Sequence, residues 1–135
     1  MKKEKVPGKN KHFRSFMENM IVLGASPKPD RYSYKAVRSL KKRGYQVVAI
    51  GQKAGEIEGI PILTGNPPVE NVHTILLYIS PENQPDFYDY LLSLKPKRII
   101  FNPGTENHEL GELAAQNQIE CVFDCALIML STKSF

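Results

Sequence analysis

The residues best suited to chemistry form a short segment, Gly24-Ala25-Ser26-Pro27-Lys28, which follows an apolar run and has Arg31 close behind it. Small side chains let the backbone approach an anion, and Ser26 carries a hydroxyl donor. Lys28 and Arg31 add positive charge beside the start of a predicted helix, whose dipole also favours phosphate. The spacing matches neither G-x-G-x-x-G nor a P-loop. The segment therefore indicates a phosphate-binding turn, and an ordinary strand-to-helix turn with surface charges is the alternative.

A second candidate segment, Gly51-Gln52-Lys53, follows the next apolar run. Enzymes that bind NAD usually carry an acidic residue at this strand end, where it accepts hydrogen bonds from the ribose. A lysine suits a ribose that carries a phosphate, as in coenzyme A or NADP, so plain NAD is disfavoured. The alternative is that Lys53 is merely an exposed surface residue.

Residues that could catalyse a reaction are scarce. His108 lies at the start of a predicted helix and could face the site, although a solvated first-turn histidine is the simpler interpretation. Cys125 is expected to be a small buried side chain, with a reactive thiol as the alternative. Cys121 and Cys125 match no zinc or thioredoxin spacing, and no Ser-His-acid or Cys-His set follows from the spacing. We therefore expect a binding protein rather than an enzyme.

Five apolar runs are the predicted strands that must position these residues, at 20–23, 47–50, 72–79, 98–101 and 119–123. The runs are nearly continuous and rich in Ile and Val, which is typical of a parallel sheet covered on both faces. Helical patterns over 33–43, 87–94 and 110–117 alternate with them. The sequence predicts an α/β, Rossmann-like, doubly wound parallel sheet of about five strands in a three-layer αβα arrangement. The expected strand order is 3-2-1-4-5, and Gly55 to Pro68 is expected to be a short excursion at the sheet edge.

Charge is unevenly distributed along the chain, although the net charge is only +4. Residues 1–19 carry six basic and two acidic side chains, residues 20–55 carry eight and one, and residues 56–135 carry four and eleven. These counts predict a basic, flexible tail at 1–18 and one domain over 19–135. The surplus of the middle segment is expected to surround the phosphate site.

Several classes of protein are excluded or disfavoured. No stretch approaches the ~20 apolar residues of a membrane-spanning helix, and the run at 20–23 is too short for the core of a signal peptide. With no export signal predicted, a reducing cytoplasmic location is expected. A nucleic-acid role is disfavoured because the α/β alternation matches no standard reader, and the basic segment has only Tyr32 and Tyr34 as interleaved aromatics.

Together these residues resemble the small single-domain CoA-binding proteins, which are similar to the CoA-binding N-terminal domain of the succinyl-CoA synthetase α-subunit. The resemblance rests on the segment from Gly24 to Pro29, on Tyr34 and on Lys53, and it runs from about residue 20 to residue 130. It implies coenzyme A or an acyl-CoA as the ligand. Residues 24–26 would face the pyrophosphate with Lys28 and Arg31 nearby, and Lys53 would lie near the adenosine phosphate.

The same resemblance implies roles at two further strand ends. Ile79, Ser80 and Pro81 would line the adenine or pantetheine side, and Asn102, Pro103 and Gly104 would flank the pantetheine arm. This chain departs from many relatives in having Gly51-Gln52 before the lysine, where they have Asn-Pro, and Asn102-Pro103 where they have Gln before the glycine.

Two other functions remain open from the sequence. An NADP-binding redox enzyme or sensor would also use a basic residue after the second strand. A protein-interaction domain with a vestigial nucleotide pocket would keep the same turn while its function lay in a protein partner.

Overall fold

A seven-stranded, mostly parallel sheet forms the centre of the fold in the computed structural model, which describes residues 18–135. The strands are β1 (Asn19–Leu23), β2 (Gln46–Ile50), β3 (Gly55–Ile57), β4 (Ile60–Leu63), β5 (Val72–Leu77), β6 (Arg98–Phe101) and β7 (Glu120–Phe123). The helices are α1 (Tyr32–Lys42), α2 (Tyr88–Ser93), α3 (His108–Gln116) and α4 (Ala126–Ser131). The predicted tail lies, except for Glu18, outside the described residues.

The strand order is β3-β4-β2-β1-β5-β6-β7, and all neighbours are parallel except β3 and β4. This confirms the Rossmann-like α/β fold and corrects the strand order. The third predicted run, which became β5, was expected outside β2, but it pairs with β1. The edge segment supplies β4, which takes the place beside β2.

The different burial of β5 and β4 explains this order. In β5 five of the six residues are buried, so this strand requires cover on both faces and a central position. In β4 only Ile62 is buried, which suits a strand near the edge.

Alternate side chains of the sheet enter two separate core layers. Val22 and Leu76 pack with Ala36 and Leu40 of α1 and with Ala126 of α4. The opposite face is covered by α2 and α3, whose buried residues include Leu91 and Leu110. The two layers give the predicted three-layer αβα arrangement. Within residues 18–135, no helix has the length and apolar content to cross a membrane.

The parallel strands bring the loops that follow them to one edge of the sheet, which we call the carboxyl edge. It is formed by residues 24–31 after β1, 51–55 after β2, 78–81 after β5 and 102–105 after β6. The two neighbours of β1 are β2 and β5, so the chain connections leave in opposite directions on its two sides. Ligands of open α/β sheets bind at such a switch point.

Candidate functional site

The turn after β1 is fastened to β2 by its first two amides. Gly24 and Ala25 both donate their N–H groups to the carbonyl oxygen of Ile50, at 2.8 and 2.9 Å. Ala25 is also buried. These two residues therefore hold the turn in place, and the amides that a ligand could use lie further along the segment.

Four such amides lie at Ser26 and in the first turn of α1, at Tyr32, Ser33 and Tyr34. Within residues 18–135 none of the four has a hydrogen-bond acceptor. The N-cap residue Arg31 makes no side-chain capping bond, and the first turn contains no acidic residue. A helix start with free amides carries the positive end of the helix dipole, so this end of α1 is suited to an anion.

The loop that carries Lys53 can approach the turn after β1 because glycines flank this lysine at positions 51 and 55. A methyl group on Gly51 would lie 2.3 Å from the carbonyl oxygen of Ala25, and one on Gly55 would lie 3.5 Å from Cβ of Pro27. The loop after β2 therefore lies directly against the turn. Gln52 and Lys53 are exposed within it.

Three bases, Lys28, Arg31 and Lys53, are exposed at the carboxyl edge. In the part of the chain that the structure describes, none of them is paired with a carboxylate. The other five bases of the segment 20–55 lie along α1, beyond its first three residues, and at Arg43, just past its end. The expectation that the whole positive surplus surrounds the phosphate site is therefore wrong for those five.

The loop after β5 closes the other side of the turn. Gly24 has a φ of +99°, and a methyl group there would lie 2.9 Å from Cγ2 of Ile79 and 3.0 Å from the carbonyl carbon of Tyr78. Ser80 precedes a short 3-10 turn at Pro81–Asn83. Its hydroxyl oxygen accepts a hydrogen bond from Nδ2 of the Asn83 side chain. The structure thus brings residues 79–81 to the same edge as residues 24–28.

Asn102 lies at this edge, but its side chain is engaged inside the protein. The residue is 3% exposed. Its Nδ2 donates to the carbonyl oxygen of Leu77 at 2.8 Å, and its Oδ1 accepts from the amide of Ala126 at 2.9 Å. The side chain therefore joins the end of β5 to the start of α4. Of the predicted trio, Pro103 and Gly104 are exposed.

A buried polar network, which the sequence did not reveal, holds the loops after β5 and β6 together. Nε2 of the buried Gln84 donates to the carbonyl oxygens of Ile79, at 3.0 Å, and Thr105, at 2.8 Å. Its Oε1 accepts from Nδ2 of Asn107 at 2.9 Å, and Asn107 in turn caps α3 by accepting from the amide of Leu110. Nothing in the sequence distinguishes Gln84 from an exposed loop residue.

Tyr78 is a further residue at the edge that sequence reasoning missed. Its hydroxyl oxygen is buried and has no hydrogen-bond partner within residues 18–135. Burial raises the pKa of the Tyr78 hydroxyl far above its ordinary value, and the nearby Cys125 thiol adds to the shift. An unpaired buried hydroxyl costs roughly 1–3 kcal/mol. Nothing in the sequence singles Tyr78 out, because it lies within the predicted apolar run 72–79.

The other candidate side chains offer no catalytic set. Nε2 of His108 lies 3.2 Å from the Glu112 carboxylate, and the histidine side chain is 91% exposed, as expected for a solvated first-turn residue. Tyr34 packs against the core, with the Arg38 guanidinium over its ring. No group of three or more metal-ligating side chains occurs within the described residues.

Comparison with known proteins adds a family and a set of structural neighbours. The family described as "CoA binding domain" matches residues 18–131. An uncharacterised protein of known crystal structure is 49% identical with a TM-score of 0.84, over 87% of this chain and 97% of its own. The protein cell-free ID.343 from Thermus thermophilus is 21% identical with a TM-score of 0.78, over 93% of this chain and 98% of its own.

A larger protein shares the fold over part of its length. The dinucleotide-forming acetyl-coenzyme A synthetase 1 of Ca. Korarchaeum cryptofilum, solved with phosphate and ADP, is 19% identical with a TM-score of 0.64. The similarity covers 78% of this chain and 25% of that one. A search of curated proteins found no match.

Proposed function

The chain belongs to the family of CoA-binding domains, and on that premise we propose that it binds coenzyme A or an acyl-CoA at the carboxyl edge without catalysing a reaction itself. The observation that carries the proposal is the open start of α1. Within residues 18–135, the amides at Ser26 and in the first helical turn have no acceptor, and the three bases at the same edge have no carboxylate partner. This combination of donors and charge is what a pyrophosphate requires.

The roles of the remaining residues follow from their positions. Lys53 would meet the ribose phosphate, since the loop that carries it lies against the turn. Ile79, Ser80 and Pro81 would line the adenine or pantetheine side, and Pro103 and Gly104 would flank the pantetheine arm. The orphaned hydroxyl of Tyr78 fits a polar group of the ligand that reaches this edge.

A set of matched nucleotides tests the proposal by isothermal titration calorimetry. We expect the full-length protein to bind CoA, and to bind dephospho-CoA more weakly by roughly three- to tenfold, because the phosphate next to Lys53 is missing. NADP carries its phosphate at a different ribose position and should bind more weakly than CoA. Absence of CoA binding at millimolar concentration would contradict the proposal, and tighter binding of NADP would favour the redox alternative.

Lys53→Met should remove the preference for the phosphorylated nucleotide. We expect the variant to bind CoA about as weakly as the parent binds dephospho-CoA, while its affinity for dephospho-CoA stays within about twofold of the parent. Lys95→Met, a change of the same size at another exposed lysine, is the matched control and should keep the preference. An unchanged preference in Lys53→Met would show that this lysine does not contact the phosphate.

Tyr78→Phe should separate stability from binding. Removing an unpaired buried hydroxyl should leave the free energy of unfolding unchanged or raise it by up to about 1 kcal/mol. Affinity for CoA should fall by roughly fivefold if the ligand supplies the missing partner. The control is Tyr90→Phe, whose hydroxyl donates to the carbonyl oxygen of Pro67 at 2.6 Å, so this variant should lose about 1 kcal/mol of stability. Denaturant titration measures the free energy of unfolding, and calorimetry measures the affinity for CoA.

A further inference from the structure

Five positive side chains remain outside the proposed nucleotide site. Lys35, Arg38, Lys41, Lys42 and Arg43 extend along α1 and just past its end. The helix begins at the carboxyl edge and runs away from it, so most of these bases lie too far along it to meet a ligand held at its first turn. Their concentration on one helix therefore needs a separate explanation.

The bases line two open grooves. One, of about 600 Å³, is lined by Lys35, Arg38, Ser39, Lys42, Arg43 and Leu127, so it lies between α1 and α4. The other, of about 530 Å³, is lined by Arg38, Lys41, Lys42 and Glu58. They share Arg38 and Lys42, so they form one continuous basic surface, which we call the basic groove.

Little of this charge is neutralised by other side chains of residues 18–135. Glu58 is the sole carboxylate within residues 18–135 that pairs with a base of α1, with its Oε2 4.0 Å from Nε of Arg38. Lys41 donates to the backbone carbonyl of the same glutamate. The cations therefore repel one another across a concave surface, and an anionic partner would relieve that repulsion.

One aliphatic side chain lies among the bases. Leu127 of α4, which is half-buried, lines the groove between α1 and α4. An aliphatic side chain in a charged groove gains from a partner that covers it. A carboxylate-rich peptide can carry an aliphatic side chain between its charges, whereas a sugar-phosphate backbone has none to place there, so the groove favours a peptide over a nucleic acid.

Two candidate occupants of the groove come from this protein itself, and both are poorly matched to it. Residues 1–17 carry six bases and one acid, so they have the wrong charge. The acidic helix α3 of a second copy has the right charge, but Glu112 already pairs with His108 and Glu109 accepts a bond from the Tyr88 hydroxyl. We propose that the basic groove binds an acidic segment of another protein, with an aliphatic side chain among its carboxylates.

Fluorescence anisotropy with the full-length protein tests this proposal. The probes are a labelled peptide of Glu-Glu-Leu repeats, a poly-glutamate peptide of equal length and a single-stranded DNA oligonucleotide. We expect the leucine-containing peptide to bind most tightly. The double variant Lys35→Glu/Lys42→Glu should lower the affinity for this peptide by at least roughly tenfold. The matched control, Lys95→Glu/Lys133→Glu, has the same net charge and should change the affinity by less than about threefold. Circular dichroism confirms that each variant is folded.

The contribution of the aliphatic side chain is tested separately. Leu127→Ser should weaken binding of the leucine-containing peptide by about threefold and leave binding of poly-glutamate unaffected. Equal losses in the two charge-reversed variants would overturn the proposal, because net charge alone would then explain binding. Tighter binding of the oligonucleotide, or salt-dependent self-association that excludes the peptide, would assign the groove to nucleic acid or to a second copy. Calorimetry with CoA is independent of these outcomes, so either proposal can fail alone.

Discussion

Gly51→Ala is expected to lower the free energy of unfolding by about 2–3 kcal/mol, a large effect for the addition of one methyl group. The new Cβ would lie 2.3 Å from the carbonyl oxygen of Ala25 and 3.0 Å from Cγ2 of Ile62. Because the closest atom belongs to the backbone, no side-chain rotation can relieve the contact. The turn must move away from β2, which strains the two bonds from Gly24 and Ala25 to the Ile50 carbonyl.

The same displacement should abolish the proposed binding of CoA, since the free amides at Ser26 and the start of α1 move relative to Lys53. We expect at least a roughly hundredfold loss of affinity by calorimetry. Denaturant unfolding measures the stability change, which does not depend on the proposed function. A Gly51→Ala protein as stable as the parent would contradict the close approach of the two loops.

Gly111→Ala is the matched control for this prediction. It adds the same methyl group inside α3, where the nearest atom is Cζ of Phe123 at 3.8 Å, an ordinary contact. Alanine in a helix interior is favoured over glycine by roughly 0.5–1 kcal/mol. The control should therefore be neutral or slightly stabilising and should leave nucleotide binding unchanged.

The elements of this fold could be predicted because its strands are buried on both faces. Continuous apolar runs located β1, β2, β5, β6 and β7, and parallel pairing then placed the loops after them at one edge. Strand order was harder, because it depends on which segment covers the outer side of β2. The short segment at Ile60–Leu63 has one buried residue, a signal too weak to show that it would displace β5 from that place.

The location of the candidate site could be predicted from the sequence, but the roles of its individual residues could not. The small residues of the turn predict that the amides of Gly24 and Ala25 face a ligand, and the family resemblance implies a contact from Asn102. These amides and the Asn102 carboxamide instead join strands and loops. Tyr78 was overlooked for the opposite reason, since it reads as part of an apolar run. Which polar group remains free depends on the bonds made by residues distant in sequence, and residue type does not reveal those bonds.

The charge of the segment 20–55 also gave a prediction that was only partly correct. The surplus between residues 20 and 55 pointed to a phosphate site, and three of its bases do lie at the carboxyl edge. The other five lie along α1 or just past its end, because a helix carries its residues about 1.5 Å further along its axis with each step. Helix direction therefore divides a single basic segment between two surfaces, the carboxyl edge and the basic groove.

Asn102→Leu should destabilise the protein by about 3–5 kcal/mol, because it removes a carboxamide that satisfies two backbone groups at once. Leucine has the same branched shape and is somewhat larger, so the loss of stability would not come from a cavity. The carbonyl of Leu77 and the amide of Ala126 would both remain in a buried setting without their partner. Asn117→Leu is the control: its Nδ2 also donates to a carbonyl oxygen, that of Leu113 at 2.8 Å, but in an exposed position. Its loss should stay within about 1 kcal/mol by denaturant unfolding.

Asn102→Asp gives the same site a dependence on pH that distinguishes a hydrogen-bonded bridge from simple packing. A protonated carboxyl can donate to the Leu77 carbonyl and accept from the Ala126 amide, as the carboxamide does. The ionised form has no donor and places a buried negative charge against the Leu77 carbonyl oxygen, so the pKa of the new carboxyl should be higher in the folded protein than in the unfolded chain. Its stability relative to the parent should therefore be greatest in acid, below the carboxyl's unfolded pKa of about 4, and fall as the pH rises through the raised folded value. A stability difference between parent and variant that does not change between about pH 4 and pH 8 would show that the side chain at this position bears no such bridge.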